Sequence, residues 1–364
     1  MEGRADRGII ITTSLLLLFG LVMVYSASAP FSLRHFGSDT HMLLRQLMAA
    51  GVGIVLLLIL ARFDYRRFRN LDDVCLIGTV LLTILTVLPI PRLSDGRWLH
   101  LGPLALQPTE LLKLSLIVYL AASMERRGAR IRSFVGGVLP YAVILLVIAL
   151  ILINQPDLGM TLLLTVLTLT MLFLGGARIA HLGFLLASAL PFVYLAIRLA
   201  PYRLSRILAF LDPQAYSCSS GYQVIQSLVA IGSGGILGRG LGASRAKLFY
   251  LPQAHSDFIF SVTAEETGLM GGVILLGLFA VLVRRAFAIA GRAPDRLGRL
   301  LALGIGFSLG FQTLLNLGVT LGALPVTGLT LPFISNGGSS LMVSLAMVGI
   351  LLSISRHGGS ECAF

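Results

Sequence analysis

Few residues in this chain can carry chemistry, and most of them stand beside or inside long apolar runs. Asp257 ends the triplet His255-Ser256-Asp257, which joins a long polar stretch to the apolar run beginning at Phe258. Glu110 and Lys113 follow Gln107-Pro108-Thr109, and Asp157 lies in Gln155-Pro156-Asp157-Leu158-Gly159. Glu265 and Glu266 fall about two turns into the run after Phe258, below the level of a membrane interface. An ionisable group at a bilayer centre costs on the order of a few kcal/mol, so each needs a partner or a function. Glu110 and Lys113 share a helix face at i,i+3 and can pair, with Thr109 as N-cap. Spacing leaves open whether that pair is purely structural or also shapes a cavity. Asp157 is a natural N-cap for the next apolar run, and spacing alone favours the same role for Asp257. One of Glu265 and Glu266 is expected to face a polar cavity.

Around these acids stand Arg97, Arg203, Arg206, Arg239, Arg245 and Lys247. Guanidinium forks bind a lipid-linked diphosphate through charge-assisted bonds. A lone carboxylate in such a field suits general-base work on a hydroxyl nucleophile, and this surrounding charge sets a catalytic role for Asp257 beside that of a cap. Gly232, Gly234, Gly235, Gly238, Gly240 and Gly242 could add backbone N–H groups to an anion site or could mark only a flexible loop. No group of residues has metal-ligand spacing. Cys75, Cys218 and Cys362 show none either, and no disulfide is expected.

The elements that must position these residues are written for lipid. Of 364 residues 56% are hydrophobic and 12% charged, with a mean hydropathy of +0.90. Ten apolar runs are candidate spans: 8–27, 43–62, 74–91, 110–124, 134–154, 158–175, 179–200, 258–283, 300–321 and 337–355. The expected fold class is an all-α polytopic membrane protein, residues 1–357 forming one transmembrane domain and 358–364 a tail. The net charge of +12 does not indicate nucleic acid, because in a membrane protein the placement of Lys and Arg matters more than their sum. With both termini inside, 17 of the 28 basic residues fall in short cytoplasmic segments, from Arg4 and Arg7 through Arg126 and Arg127 to Arg284, Arg285, Arg292, Arg296 and Arg299. The remainder, Arg92 among them, lie outside or near the outer face. Residues 1–29 could instead be read as a signal peptide, but the apolar run is long for one, and its removal would break the alternation of basic loops. One connection is long: residues 201–257, on the outer side, with a short helix from Pro201 ended by Asp212-Pro213 and a second at Gly221–Ser227.

Several motifs then resemble the SEDS family (shape, elongation, division and sporulation), whose members include FtsW and RodA. They are Gly221-Tyr222-Gln223 with Gln226-Ser227, Lys247-Leu248-Phe249-Tyr250-Leu251-Pro252, His255-Ser256-Asp257-Phe258, Pro325-Val326-Thr327-Gly328-Leu329-Thr330-Leu331-Pro332-Phe333 and Gly337-Gly338-Ser339-Ser340. Tyr25-Ser26-Ala27-Ser28, Arg97-Trp98, Gln107-Pro108-Thr109-Glu110 and Gln155-Pro156-Asp157 support them, so the match covers nearly the whole chain in order. Thr109 stands where Ser is usual, Ser256 where Thr is usual, and Asn336 where a Tyr is usual. The phrasing is closer to the division branch than to the elongation branch.

The resemblance implies a ten-span peptidoglycan glycosyltransferase polymerising lipid II at the outer face of the bacterial inner membrane. It puts the catalytic aspartate at Asp257. Arg97, Arg203, Arg206, Arg239, Arg245, Lys247, Gln223, His255 and Ser256 become expected substrate-binding or cavity residues, and Glu110, Lys113, Asp157, Glu265 and Glu266 structural or gating ones. The implied partners are lipid II, undecaprenyl-diphosphate-linked glycan, a class B penicillin-binding protein and other divisome or elongasome membrane proteins. No firmly bound cofactor is expected; a divalent cation, Mg or Mn, would come with the substrate phosphates. Two rivals stand beside this reading: a lipid II flippase using Glu110, Lys113, Glu265 and Glu266 as a path, and a scaffold without activity.

Overall fold

The computed structural model describes residues 6–88, 94–101, 104–198, 200–216 and 220–358; Arg4, Arg92, Cys218, Cys362 and the tail from 359 lie outside them. The helices are α1 (Arg7–Phe36), α2 (His41–Arg62), α3 (Phe68–Val87), α4 (Pro108–Arg127), α5 (Leu139–Asn154), α6 (Leu158–Leu174), α7 (Ile179–Arg198), α8 (Pro201–Leu211), α9 (Ser220–Gly234), α10 (Ile259–Arg292), α11 (Arg296–Thr320) and α12 (Gly338–His357). A two-stranded antiparallel hairpin, β1 (Leu99–Leu101) and β2 (Leu104–Leu106), precedes α4. Among the described residues seven helices are long and apolar enough to cross a membrane, α6 and the first part of α7 being shorter apolar helices. The chain is a multi-pass membrane protein.

The bundle centres on α12, which is buried on nearly every side from Ser339 to Ile354. A helix apolar all round belongs in the interior, and small residues let its neighbour approach. A Cβ at Gly349 would meet the Leu57 carbonyl of α2 at 2.7 Å, and one at Gly53 would meet Leu345 at 2.6 Å. Gly358, placed in the tail by its sequence, caps α12 with its N–H on the Ile354 carbonyl.

Asp157 caps α6 as its position suggests, accepting from the Met160 N–H at 3.1 Å. Thr109 does not cap α4. Pro108 takes the first helical position and moves the N-cap back to Gln107, which leaves the Thr109 hydroxyl buried with no hydrogen-bond partner among the described residues. Nor does Asp257 cap α10, since the cap position falls to Phe258.

Well inside α10 the chain breaks at Gly268 (φ 69°, ψ −168°), a backbone shape that L side chains disfavour. Irregular backbone at membrane depth is tolerated only where protein satisfies its polar groups. Here the glycine-rich stretch after α9 does so. The Arg239 and Gly240 N–H groups donate to the Glu265 and Glu266 carbonyls, each at 3.0 Å, while Leu269 and Met270 donate to the Gly235 and Ile236 carbonyls at 2.9 and 3.1 Å. The glycine run is therefore a backbone partner of the α10 break rather than an open anion cradle. Replacing Gly268 by Ala would set a Cβ 2.3 Å from the Gly238 nitrogen in a strained conformation. Gly268→Ala is expected to abolish the folded yield, or to lower the melting temperature in detergent by a shift equivalent to about 3 kcal/mol or more. Gly277→Ala, on the same helix with open space around it, should melt like the parent.

Candidate active site

Asp257 lies in the turn 251–258 that leads into α10, and the backbone of that turn is held by α11 and by the segment between α11 and α12. Asn336 N–H donates to the His255 carbonyl (2.9 Å), Ser335 Oγ to the Ser256 carbonyl (2.6 Å) and Asn316 Nδ2 to the Asp257 carbonyl (2.8 Å). Three successive carbonyls are thus fixed, which sets where the Asp257 side chain projects. Gly328 faces it: a Cβ there would lie 3.7 Å from Oδ2, so the glycine leaves the carboxylate room.

The carboxylate is half-buried, and no cation lies within ion-pair distance of it among the described residues. Burial pushes its pKa up to about 6, while the Ser256 hydroxyl, Arg206 and Arg97 pull it down and Asp157 adds to the rise. Burial takes His255 the other way, down to about 4, so its ring is neutral near pH 7. Asp157 is also raised, by burial first, with Arg97 opposing.

The six cations do not form one cluster. Arg97 and Arg206 lie close enough to Asp157 and Asp257 to act on both carboxylates. Arg97 donates to the Gln155 carbonyl at 2.8 Å and to the Pro156 carbonyl. Arg203, buried, donates to Tyr202 Oη and the Ile153 carbonyl, both at 2.9 Å. Arg206 reaches the Val326 carbonyl at 3.3 Å and lies over the Tyr202 ring. The other three serve the acids of α10. Glu265 accepts from Ser244 Oγ (2.5 Å), from the Arg245 and Ala246 N–H groups (3.1 Å each) and from Arg239 (3.3 Å). Glu266 pairs with Lys247 Nζ at 2.7 Å, and both bond Ser26 Oγ on α1. Arg239 and Lys247 are committed to buried carboxylates, and Arg245 contributes its backbone while its side chain is exposed. Gln223 sits half-buried on α9. His255 and Lys247 share a separate cavity of about 380 Å³ with Phe31, Met42 and Phe249.

Glu110 and Lys113 pair at 2.5 Å, both buried, and Lys113 also donates to Gln312 Oε1 at 2.6 Å. Gln312 and Asn316, one turn apart on α11, and Ser335 had no place in the sequence reading. Their signal was present: polar residues in or beside an apolar run carry the same obligation as charged ones, though a weaker one. No three His, Cys, Asp or Glu side chains among the described residues stand close enough to hold a metal ion.

A sequence profile of the FtsW, RodA and SpoVE cell cycle proteins matches residues 6–359. The chain belongs to this family. It is 43% identical to the probable peptidoglycan glycosyltransferase FtsW of Trichlorobacter lovleyi over 96% of this chain and 93% of that one. It is 41% identical to stage V sporulation protein E of Bacillus subtilis over 97% of both. Among solved structures it resembles a chain of a peptidoglycan synthase complex that coordinates polymerization and crosslinking (TM-score 0.78, 35% identity, 98% of this chain and 99% of that one). The rod shape determining protein RodA of Thermus thermophilus is similar too, at a TM-score of 0.70 and 32% identity over 97% of each chain.

Removing Lys247 from this family member would leave Glu266 buried without its cation. Lys247→Met is expected to cost about 3–5 kcal/mol, read as a lower melting temperature in detergent. The double change with Glu266→Gln should recover most of that loss.

Proposed function

We propose that the chain is a peptidoglycan glycosyltransferase that polymerises lipid II at the outer face of the bacterial inner membrane, with Asp257 as general base. One observation carries the assignment of the base. The buried Glu110, Glu265 and Glu266 are each matched by a cation, and Asp157 is occupied in capping α6, whereas among the described residues neither a cation nor a backbone N–H meets the Asp257 carboxylate. A raised pKa near the working pH suits a group that must take and release a proton.

The glycan strand, held by its lipid diphosphate at Arg206 with Arg97 and Arg203 behind it, is the donor at its reducing-end sugar. The second lipid II supplies a 4-hydroxyl. Asp257 takes the hydroxyl proton as the oxygen attacks the anomeric carbon, the bond to the diphosphate breaks on the opposite side, and the configuration inverts without a covalent intermediate. The arginines meet the charge that develops on the departing diphosphate. A Mg or Mn ion, where one takes part, would arrive on the substrate phosphates.

All ten long helices cross the membrane in this reading, with both termini inside and the 201–257 loop outside. The arginines at the end of α4, in the last turns of α10 and in the first turn of α11 support it. The FtsW relatives favour the division branch. A class B penicillin-binding protein is the partner, with other divisome or elongasome membrane proteins around it, in keeping with the synthase complex among the structural relatives. The flippase reading loses its support, because the acids that would line its path are closed ion pairs.

The test is polymerisation of labelled lipid II by the purified protein with its penicillin-binding protein made inactive. Asp257→Ala and Asp257→Asn should abolish the glycan ladders, and ladders from either would sink the base assignment. The wild-type kcat/KM should rise with pH through about 6, because below that value Asp257 is protonated and cannot accept. A limb near pH 4 would point to His255 instead.

A further inference from the structure

Gln312 and Asn316 are at least 99% buried, and the reaction drawn above uses neither. Their neighbours fix how their amides point. An ammonium only donates, so Gln312 turns Oε1 toward Lys113 and presents Nε2 to the Thr330 carbonyl at 3.0 Å. Asn316 faces two carbonyls, of Asp257 at 2.8 Å and of Leu329 at 2.7 Å. Carbonyls only accept, so Nδ2 sits between them and Oδ1 points elsewhere, buried with no hydrogen-bond partner among the described residues. An unpaired buried acceptor is a standing penalty, borne here by a side chain whose two N–H groups are both engaged.

What those N–H groups join is specific. One carbonyl belongs to Asp257, and the other lies next to Gly328, the residue that leaves its carboxylate room. We propose that Asn316 is the positioning residue of this site, clamping the Asp257 turn to the 325–331 segment, and that Gln312, oriented by Lys113, steadies the far side of the same clamp through Thr330. The inference rests on Asp257 being the base. A reacting group displaced by about 1 Å can lose about 100-fold in rate, so a clamp on its own backbone carbonyl acts on catalysis without touching substrate. Glu110 and Lys113 then reach the site through the Gln312 amide rather than as a separate structural pair.

The charged groups that face Asp257 are Arg206 from α8, Arg97 from before β1 and Asp157 from the start of α6; α11 and the 325–331 segment present none to it. Loosening the turn from α11 lets the carboxylate move toward the arginines and water, and both favour its ionised form. In the lipid II assay, Asn316→Ala should lower kcat about 100-fold with KM within about threefold, and the pH limb should move from about 6 toward the ordinary carboxyl range. Gln312→Met, which keeps the volume and removes the bond to Thr330, should give a smaller loss of kcat, about tenfold, with the limb displaced in the same direction. Wild-type kcat in Asn316→Ala overturns the proposal. So does a fall in kcat with the limb unmoved, since a general loosening of the bundle would do that. If Asn316→Ala does not fold, Gln312→Met decides by the same two readings. Active Asp257→Asn protein would instead refute the base itself, leaving the two failures distinct.

Discussion

A carboxylate taken out of water must be met by a cation or by several donors, and that constraint shapes the surroundings of α10 in this protein. Glu265 and Glu266 sit next to each other inside α10 and satisfy it differently, one with a serine, two backbone N–H groups and an arginine, the other with Lys247 and Ser26. Both sets of partners come largely from the 239–247 stretch. Meeting the two acids therefore draws the 239–247 stretch onto α10, and Ser26 fastens α1 to the same point. The chain that leaves Lys247 has only a few residues in which to reach α10 at Ile259, and the turn bearing Asp257 lies within them.

The break at Gly268 adds a second hold of the same kind. A helix interrupted there frees backbone groups that lipid cannot satisfy, and the four bonds to residues 235–240 satisfy them. Side-chain charge and backbone polarity thus fix the same loop from two directions. On the loop so held one carboxylate, Asp257, lacks among the described residues the cation given to its neighbours. Its poise follows from what surrounds it, and no unusual chemistry of its own is needed.

How much of this was legible depended on sequence distance. The helices follow from hydropathy, and the Glu110–Lys113 pair and the Asp157 cap follow from spacings of three residues. The six basic residues near the outer face looked equivalent because nothing local distinguishes them. Lys247 and Arg239 find their acids 19 and 26 residues away across a turn whose path depends on the α10 break. Thr109 was misread as a cap for a different reason: Pro108 opens the helix one position early, and the fold then buries the hydroxyl. Gln312 and Asn316 carry no charge, so a search led by titratable groups passes over them although their amides bond the backbone at Thr330 and at Asp257.

The division of the cations has a consequence for the reaction. Arg239 and Lys247 already neutralise buried acids, so a diphosphate drawing on them would leave Glu265 or Glu266 unpaired at a cost of several kcal/mol. Among the described residues Arg206 and Arg97 hydrogen-bond carbonyl oxygens and pair with no acid, which leaves their charge available, and they lie in the field of Asp257. On the proposed reading they hold the Asp257 carboxyl down while the site is empty. A diphosphate bound beside them offsets that influence, and the carboxylate binds a proton more tightly than before. The base is then strongest when the donor is in place and weakens again as the diphosphate departs, which helps return the proton to solvent. The same guanidinium groups that receive the leaving group thereby set the timing of proton transfer.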